Sequence, residues 1–280
     1  MPNLRVSVVQ YLNTAPLVWG MLHGRERGQF DLAFTTPACC ADDLRGGRAD
    51  VGIIPSIEYQ RIGGLKVLPG LSIASKHRVR SVLLLSRVPI EKVQSVALDT
   101  SSRTSATLVW VLLRKFYGID PVMQPAAPDP KAMLKSADAA LLIGDPALVY
   151  EESRSSAFAE DKLRGSDRSP VVFDLAAEWR KFTGLPFVFA LWAYRGGTDR
   201  RFEDLCRDFG ESRDQGLAHL DEIGTEWGPR LGLTPEAVRI YLTGNIDYTL
   251  DEENLAGLRL FYKLAHEVGA IARVKNLNFG

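Results

Sequence analysis

Cysteine and histidine are scarce: the chain of 280 residues holds three Cys and four His. The cysteines are Cys39, Cys40 and Cys206, an odd number with two adjacent, which is not a disulfide framework. No CxxC pair offers zinc-site spacing. All three are expected to be small buried hydrophobes. The histidines, His23, His77, His219 and His266, are scattered with no HExxH pairing. His219 and His266 fall in helical stretches and read as surface or packing residues, while His77 lies in a polar loop ahead of a strand. Metal-centred catalysis and Ser–His hydrolysis therefore have little to rest on, and no metal site is expected.

Net charge is missing too. Lys plus Arg equals Asp plus Glu at 34 each, so no whole-chain field draws the protein to nucleic acid or an anionic membrane, and neither partner is expected. No apolar run approaches the roughly 20 residues of a membrane-spanning helix. The first residues lack the basic start, apolar run and small-residue cleavage site of a secretory signal, which makes the cytoplasm the expected location. There is no GxGxxG fingerprint, no Walker A sequence and no GxSxG elbow. There are no repeats and no low-complexity tracts.

What is present is ordinary globular composition, 46% hydrophobic and 24% charged, in short apolar runs that alternate with amphipathic stretches. That alternation is the pattern of an α/β fold. Strands are expected at residues 4–9, 30–34 and 49–54, with a helix over 38–45 stopped by Gly46 and Gly47. A Val- and Leu-rich run at 80–88 reads as a buried strand. A second series follows: a strand at 93–98, a helix over 104–117, strands at 122–125 and 139–143, and a helix over 129–136. Residues 151–169 are polar and charged and read as a surface excursion. A helix at 174–182 and a strongly apolar strand at 186–194 come next. From residue 199 the pattern is helical, with breaks expected near Gly210, at 232–235 and at 244–251.

Two strand series with their own helices imply two lobes, one nested in the other: residues 1–87 with 195–280, and residues 88–194. Two crossing segments make a hinge, and the interlobe cleft is the expected ligand site. Hydroxyl, amide and backbone groups at strand ends are the remaining chemistry. Four segments carry them, residues 11–17 (YLNTAPL), 55–59 (PSIEY), 100–105 (TSSRTS) and 144–146 (GDP). In an open α/β sheet ligands bind beyond the carboxyl ends of strands, so all four belong at the cleft, two per lobe. The helix start at Thr104 and Ser105 offers orphan N–H groups, a positive dipole end and two hydroxyls, an anion site. Plain N-capping explains the same residues. Asn13 and Ser56 also read as turn residues bonding their own backbone, Asp145 as a cap and Glu58 as a solvated helix face.

Taken as full strings, these segments resemble the chorismate dehydratase family of the futalosine route to menaquinone. The resemblance is carried by YLNTAPL at 11–17, PSIEY at 55–59, RSVLLLSRVPIEKV at 80–93 and VALDTSSRTSATL at 96–108. ALLIGDPAL at 140–148, EWRKFTGLPFVFALWA at 178–193 and YLTGNIDYTL at 241–250 complete it. It implies a type II periplasmic-binding-protein-like fold, two lobes with a hinge and interlobe cleft, in a cytoplasmic monomer or homodimer that uses no cofactor. It implies chorismate as the small-molecule substrate and 3-[(1-carboxyvinyl)oxy]benzoate and water as products. Asn13 and Ser81 are implied to stand closest to the chemistry. One substrate carboxylate is expected at Thr104 and Ser105, with Ser56 across the cleft, and Gly144, Asp145 and Thr183 as further contacts. The alternatives are 1,4-dihydroxy-6-naphthoate synthase, a sister enzyme of the same pathway and fold, a non-catalytic small-anion receptor, and the sensing domain of a regulator. DTSSRTS and TGLPFVFALWA look more like the dehydratase than the sister.

Overall fold

The computed structural model describes residues 3–161, 170–197 and 200–280, the side chains of 155–161 excepted. The chain opens with β1 (Leu4–Val9), α1 (Ala15–His23), β2 (Phe30–Thr35), α2 (Pro37–Arg45), β3 (Val51–Pro55), α3 (Ser56–Arg61) and β4 (Lys66–Ser75). It continues with β5 (Val82–Ser86), β6 (Ser95–Asp99), α4 (Arg103–Val111), β7 (Val122–Ala126), α5 (Pro130–Ser136), β8 (Ala139–Ile143), α6 (Gly144–Asp161), β9 (Val171–Asp174) and α7 (Leu175–Thr183). It closes with β10 (Phe187–Tyr194), α8 (Phe202–Ala218), α9 (Leu220–Leu231), α10 (Pro235–Gly244) and α11 (Glu252–Glu267). Several helix starts are written in the local sequence. Thr36, Asp129, Thr234 and Asp251 each cap a following helix through a side-chain oxygen, and Pro follows directly after the first three.

Two five-stranded sheets share one wiring, β2-β1-β3-β10-β4 and β7-β6-β8-β5-β9. In each, three strands run parallel (β2, β1, β3 and β7, β6, β8). An antiparallel strand, β10 or β5, separates the trio from the edge strand β4 or β9. Strands β3, β5, β8 and β10 are buried along their whole length, as expected of sheet strands covered on both faces, so they read as continuous apolar runs. The edge strands β2 and β7 are only partly buried. One hydrophobic cluster runs through both sheets, from Val8, Ile53 and Leu191 to Val96, Leu84 and Leu141.

The pairing moves the expected lobe boundaries. β5 is bonded to β8 and β9 in the second sheet, and β10 to β3 and β4 in the first. Sheet membership therefore changes between β4 and β5 and again between α7 and β10, ahead of the expected 87/88 and 194/195 positions. An apolar run shows that a strand is buried but not which sheet it pairs with. Further expectations are corrected. Residues 151–161 continue helix α6, while 162–169 lie outside the described residues. α8 runs through Gly210 without a break, and the break falls at His219. Of the cysteines only Cys40 is buried, its thiol pushed up to about 12 by burial; Cys39 is exposed and Cys206 half-buried. Among the described residues no helix is long and apolar enough to cross a membrane.

The first crossing, between β4 and β5, is tied down by one carboxylate. Asp174 accepts hydrogen bonds from the backbone N–H of Val79 (3.2 Å) and Arg80 (2.7 Å), and from Ala176 and Ala177 at the start of α7 (both 3.1 Å). Arg80 is the one non-glycine among the described residues with a left-handed backbone, φ 60°, a conformation that costs an ordinary side chain about 1–2 kcal/mol.

Candidate active site

The shared wiring brings equivalent strand ends face to face. β1 ends at the turn carrying Asn13, β3 at Ser56, β6 at residues 100–104 and β8 at Gly144. Between them lies a small cavity of about 60 Å³, lined among others by Tyr11, Asn13, Ser81, Thr104, Ser105 and Gly144. The remaining wall is largely apolar, with Val9, Ile73, Val79, Val82, Ile143 and Phe189. No histidine is among the lining residues. Among the described residues no group of three or more His, Cys, Asp and Glu could hold a metal ion.

Each lobe reaches across to cap the other. The backbone N–H of Leu12, just beyond β1, donates to Asp145 Oδ1 at the start of α6 (2.9 Å). In the mirror arrangement, the backbone N–H of Ile57 in α3 donates to Thr104 Oγ1 of α4 (3.2 Å), and Thr104 also meets Ser56 Oγ at 3.4 Å. Tyr11 and Ser101 share a 3.4 Å hydroxyl contact. Arg103 extends from α4 to both oxygens of Asp42 (3.0 and 2.8 Å) and to Glu58 (3.1 Å). Glu58 is only 1% exposed and also pairs with Arg45 and Arg61, so it is a buried acceptor of three guanidinium groups and not a solvated helix face. These bonds describe a closed cleft.

The cavity wall has the character of an anion site. Residues 102–105, the N-terminus of α4, all line it, and the N-cap Ser102 makes no side-chain cap bond. The orphan N–H groups of the helix start are therefore not satisfied by an N-cap side chain, and the positive end of the helix dipole adds to them. Thr104, by contrast, spends its hydroxyl oxygen on the neighbouring lobe. Gly144 is required twice: its φ is +65°, and a Cβ there would sit 2.5 Å from the Tyr11 ring. The ring thus closes over the glycine, and burial pushes its phenol up.

Of the residues expected at the site, Asn13, Ser81, Thr104, Ser105 and Gly144 line the cavity together. Ser56 is fully buried beneath it, its hydroxyl donating to the Val188 carbonyl at 2.8 Å. Asp145 lies behind the wall as an interlobe acceptor, its carboxyl pushed up to about 6 by burial. Thr183 is not among the lining residues. Its hydroxyl donates to Trp179 O (2.7 Å) and accepts from Leu185 N–H (3.2 Å), which caps the end of α7. Three contributors escaped notice in the sequence. Tyr11 and Arg103 stand inside recognised strings, but nothing marks them out from their neighbours. Tyr241, whose hydroxyl donates to Ser81 Oγ at 2.7 Å, sits on a helix where an aromatic residue reads as core.

Comparison with known proteins agrees with this architecture. The chain is 31% identical over 259 residues to a chorismate dehydratase of Thermus thermophilus, which covers 91% of this chain and 93% of the relative. Among solved structures, a structural-genomics protein from Archaeoglobus fulgidus superposes with a TM-score of 0.72 at 18% identity, covering 96% of this chain and 98% of that one. The periplasmic aliphatic sulphonate binding protein SsuA of Escherichia coli superposes with a TM-score of 0.61 at 14% identity, covering 100% and 91%. At such identities these structures speak for the fold alone, a two-lobed α/β fold of the periplasmic-binding-protein kind. A family described as menaquinone biosynthesis matches residues 4–267, and the chain belongs to that family.

Proposed function

We propose that this protein is a chorismate dehydratase, a hydro-lyase that converts chorismate to 3-[(1-carboxyvinyl)oxy]benzoate and water for menaquinone synthesis by the futalosine pathway. The observation that carries the reading is the interlobe cavity in which Asn13, Ser81 and the uncapped start of α4 meet, in a chain of the menaquinone biosynthesis family.

Chorismate bears two carboxylates, a hydroxyl at C4 and an enolpyruvyl ether at C3. In the elimination the C3–H bond breaks and its electron pair becomes the C3–C4 double bond. Hydroxide leaves C4 and, with the proton taken from C3, makes water. The ring becomes aromatic, which supplies the driving force. The C3 carbon is vinylogous to the ring carboxylate, so charge that builds up there spreads onto that group. The protein's task is then to bind anions and to orient and exclude water, more than to supply a strong base.

In this reading the start of α4, with Ser105, receives one carboxylate, and the Asn13 carboxamide holds the substrate hydroxyl or carboxylate. Ser81 donates to the departing hydroxide. The proton acceptor is the substrate's own enolpyruvyl carboxylate, an assignment that comes from the family resemblance. No cofactor takes part. The apolar wall and the interlobe bonds keep water from the reacting face.

A panel of purified substrates tests the reading. Chorismate should be consumed, and a cyclised futalosine derivative, the sister enzyme's substrate, should not. Consumption of the second compound alone would transfer the chain to the naphthoate synthase reaction. Binding of chorismate without turnover would leave a receptor.

A further inference from the structure

Ser81 has a fixed backbone and one free rotor. Its carbonyl accepts the N–H of Gly144 at 2.8 Å, and the residue is only 1% exposed. The remaining freedom is the direction of the hydroxyl hydrogen. Tyr241, from α10 and also 1% exposed, donates its own hydrogen to Ser81 Oγ across 2.7 Å. A hydroxyl has one hydrogen to give and two lone pairs. With one lone pair occupied by Tyr241, the Ser81 hydrogen must point elsewhere. Among the described residues its only protein acceptor is the Val79 carbonyl at 3.4 Å, at the far limit of a hydrogen bond. The other open direction is the cavity that Ser81 lines.

We infer that Tyr241 is a positioning residue for the elimination: it holds the Ser81 hydroxyl with its hydrogen turned into the cavity, toward the oxygen that leaves C4. The inference rests on the proposed dehydration. Burial pushes the Tyr241 phenol up. The phenol therefore stays protonated at neutral pH and remains a constant donor. No proton leaves Tyr241 in this scheme. Its contribution is orientation, which acts through Ser81 and appears in the rate step more than in binding.

A double-mutant cycle with chorismate tests this. Tyr241→Phe should lower kcat about 10- to 100-fold, the range seen when a partner that orients a working group is removed, with KM changed less than about twofold. In a Ser81→Ala background the same substitution should cost less than about twofold, because the hydroxyl it orients is gone. Affinity for the enolpyruvyl benzoate product, measured by calorimetry, should stay within about twofold of wild type in Tyr241→Phe. A Tyr241→Phe enzyme at wild-type rate would overturn the inference. So would losses that multiply in the double variant, or a rate loss matched by loss of product binding, since each marks a role independent of Ser81. A wild-type chain inert on chorismate would instead overturn the reading beneath it, which keeps the two failures apart.

Discussion

Asp145 of the second lobe accepts the backbone N–H of Leu12 in the first across 2.9 Å, and this bond closes one side of the cleft. The carboxyl is buried enough that its titration midpoint rises from 3.8 to about 6. The folded state thus holds this proton more tightly than the unfolded chain does. The stabilisation is complete below about pH 3.8 and is lost as pH rises through about 6. At neutral pH ionised Asp145 therefore costs on the order of 2–3 kcal/mol.

Asp145→Asn keeps a carbonyl for the Leu12 N–H and removes the charge. Denaturant unfolding at pH 4.5 and pH 7.5 should show the variant gaining on wild type by about 1–3 kcal/mol at the higher pH. Parallel stabilities at both pH values would contradict the buried-carboxyl account.

Arg103 should act as a latch. It is the lobe-two partner of Asp42 and of the buried Glu58. Beside it, Asp42 is held below the usual carboxylate range. Arg103→Gln leaves Glu58 its other guanidinium partners, Arg45 and Arg61, so the fold should lose only about 1–2 kcal/mol. The interlobe tie should weaken. Small-angle scattering should report a larger radius of gyration for the variant, with KM for chorismate raised several-fold. An unchanged radius and KM would show that Arg103 does not govern closure.

Asp174 should matter most for stability. It is 6% exposed, and it serves both the crossing into β5 and the start of α7. Asp174→Ala would orphan the N–H groups of Val79 and Arg80 as well as removing a helix cap. A loss of about 2–4 kcal/mol is expected from the cap and the buried donors together. Asp174→Asn, which retains one acceptor oxygen, should lose less. Thermal and denaturant unfolding of the two variants would check the order.

The layering of the fold is legible because β1, β3, β8 and β10 are apolar runs bounded by turn residues, and because Gly46 and Gly47 mark a helix end. β4 was not foreseen, since Pro69 and Gly70 interrupt its apolar residues and make it read as a loop. β9 is only four residues long. The crossings were misplaced because β5 and β10 carry burial, not partner identity. At the site, the strand-end position of Asn13, Thr104 and Gly144 was readable from order alone, as was their meeting across a cleft. The engagement of Ser56 with Val188, the retirement of Thr183 to a helix end and the approach of Tyr241 to Ser81 are tertiary facts between residues far apart in the chain.

The most direct test is turnover of chorismate by the purified protein, without added metal or nucleotide, followed by chromatography and mass. The account predicts loss of one water to give 3-[(1-carboxyvinyl)oxy]benzoate, with Asn13→Ala and Ser81→Ala each reducing the rate at least about 100-fold while still melting cooperatively. Folded wild-type protein that leaves chorismate intact would contradict the proposed function. Turnover that survives both substitutions would contradict the site.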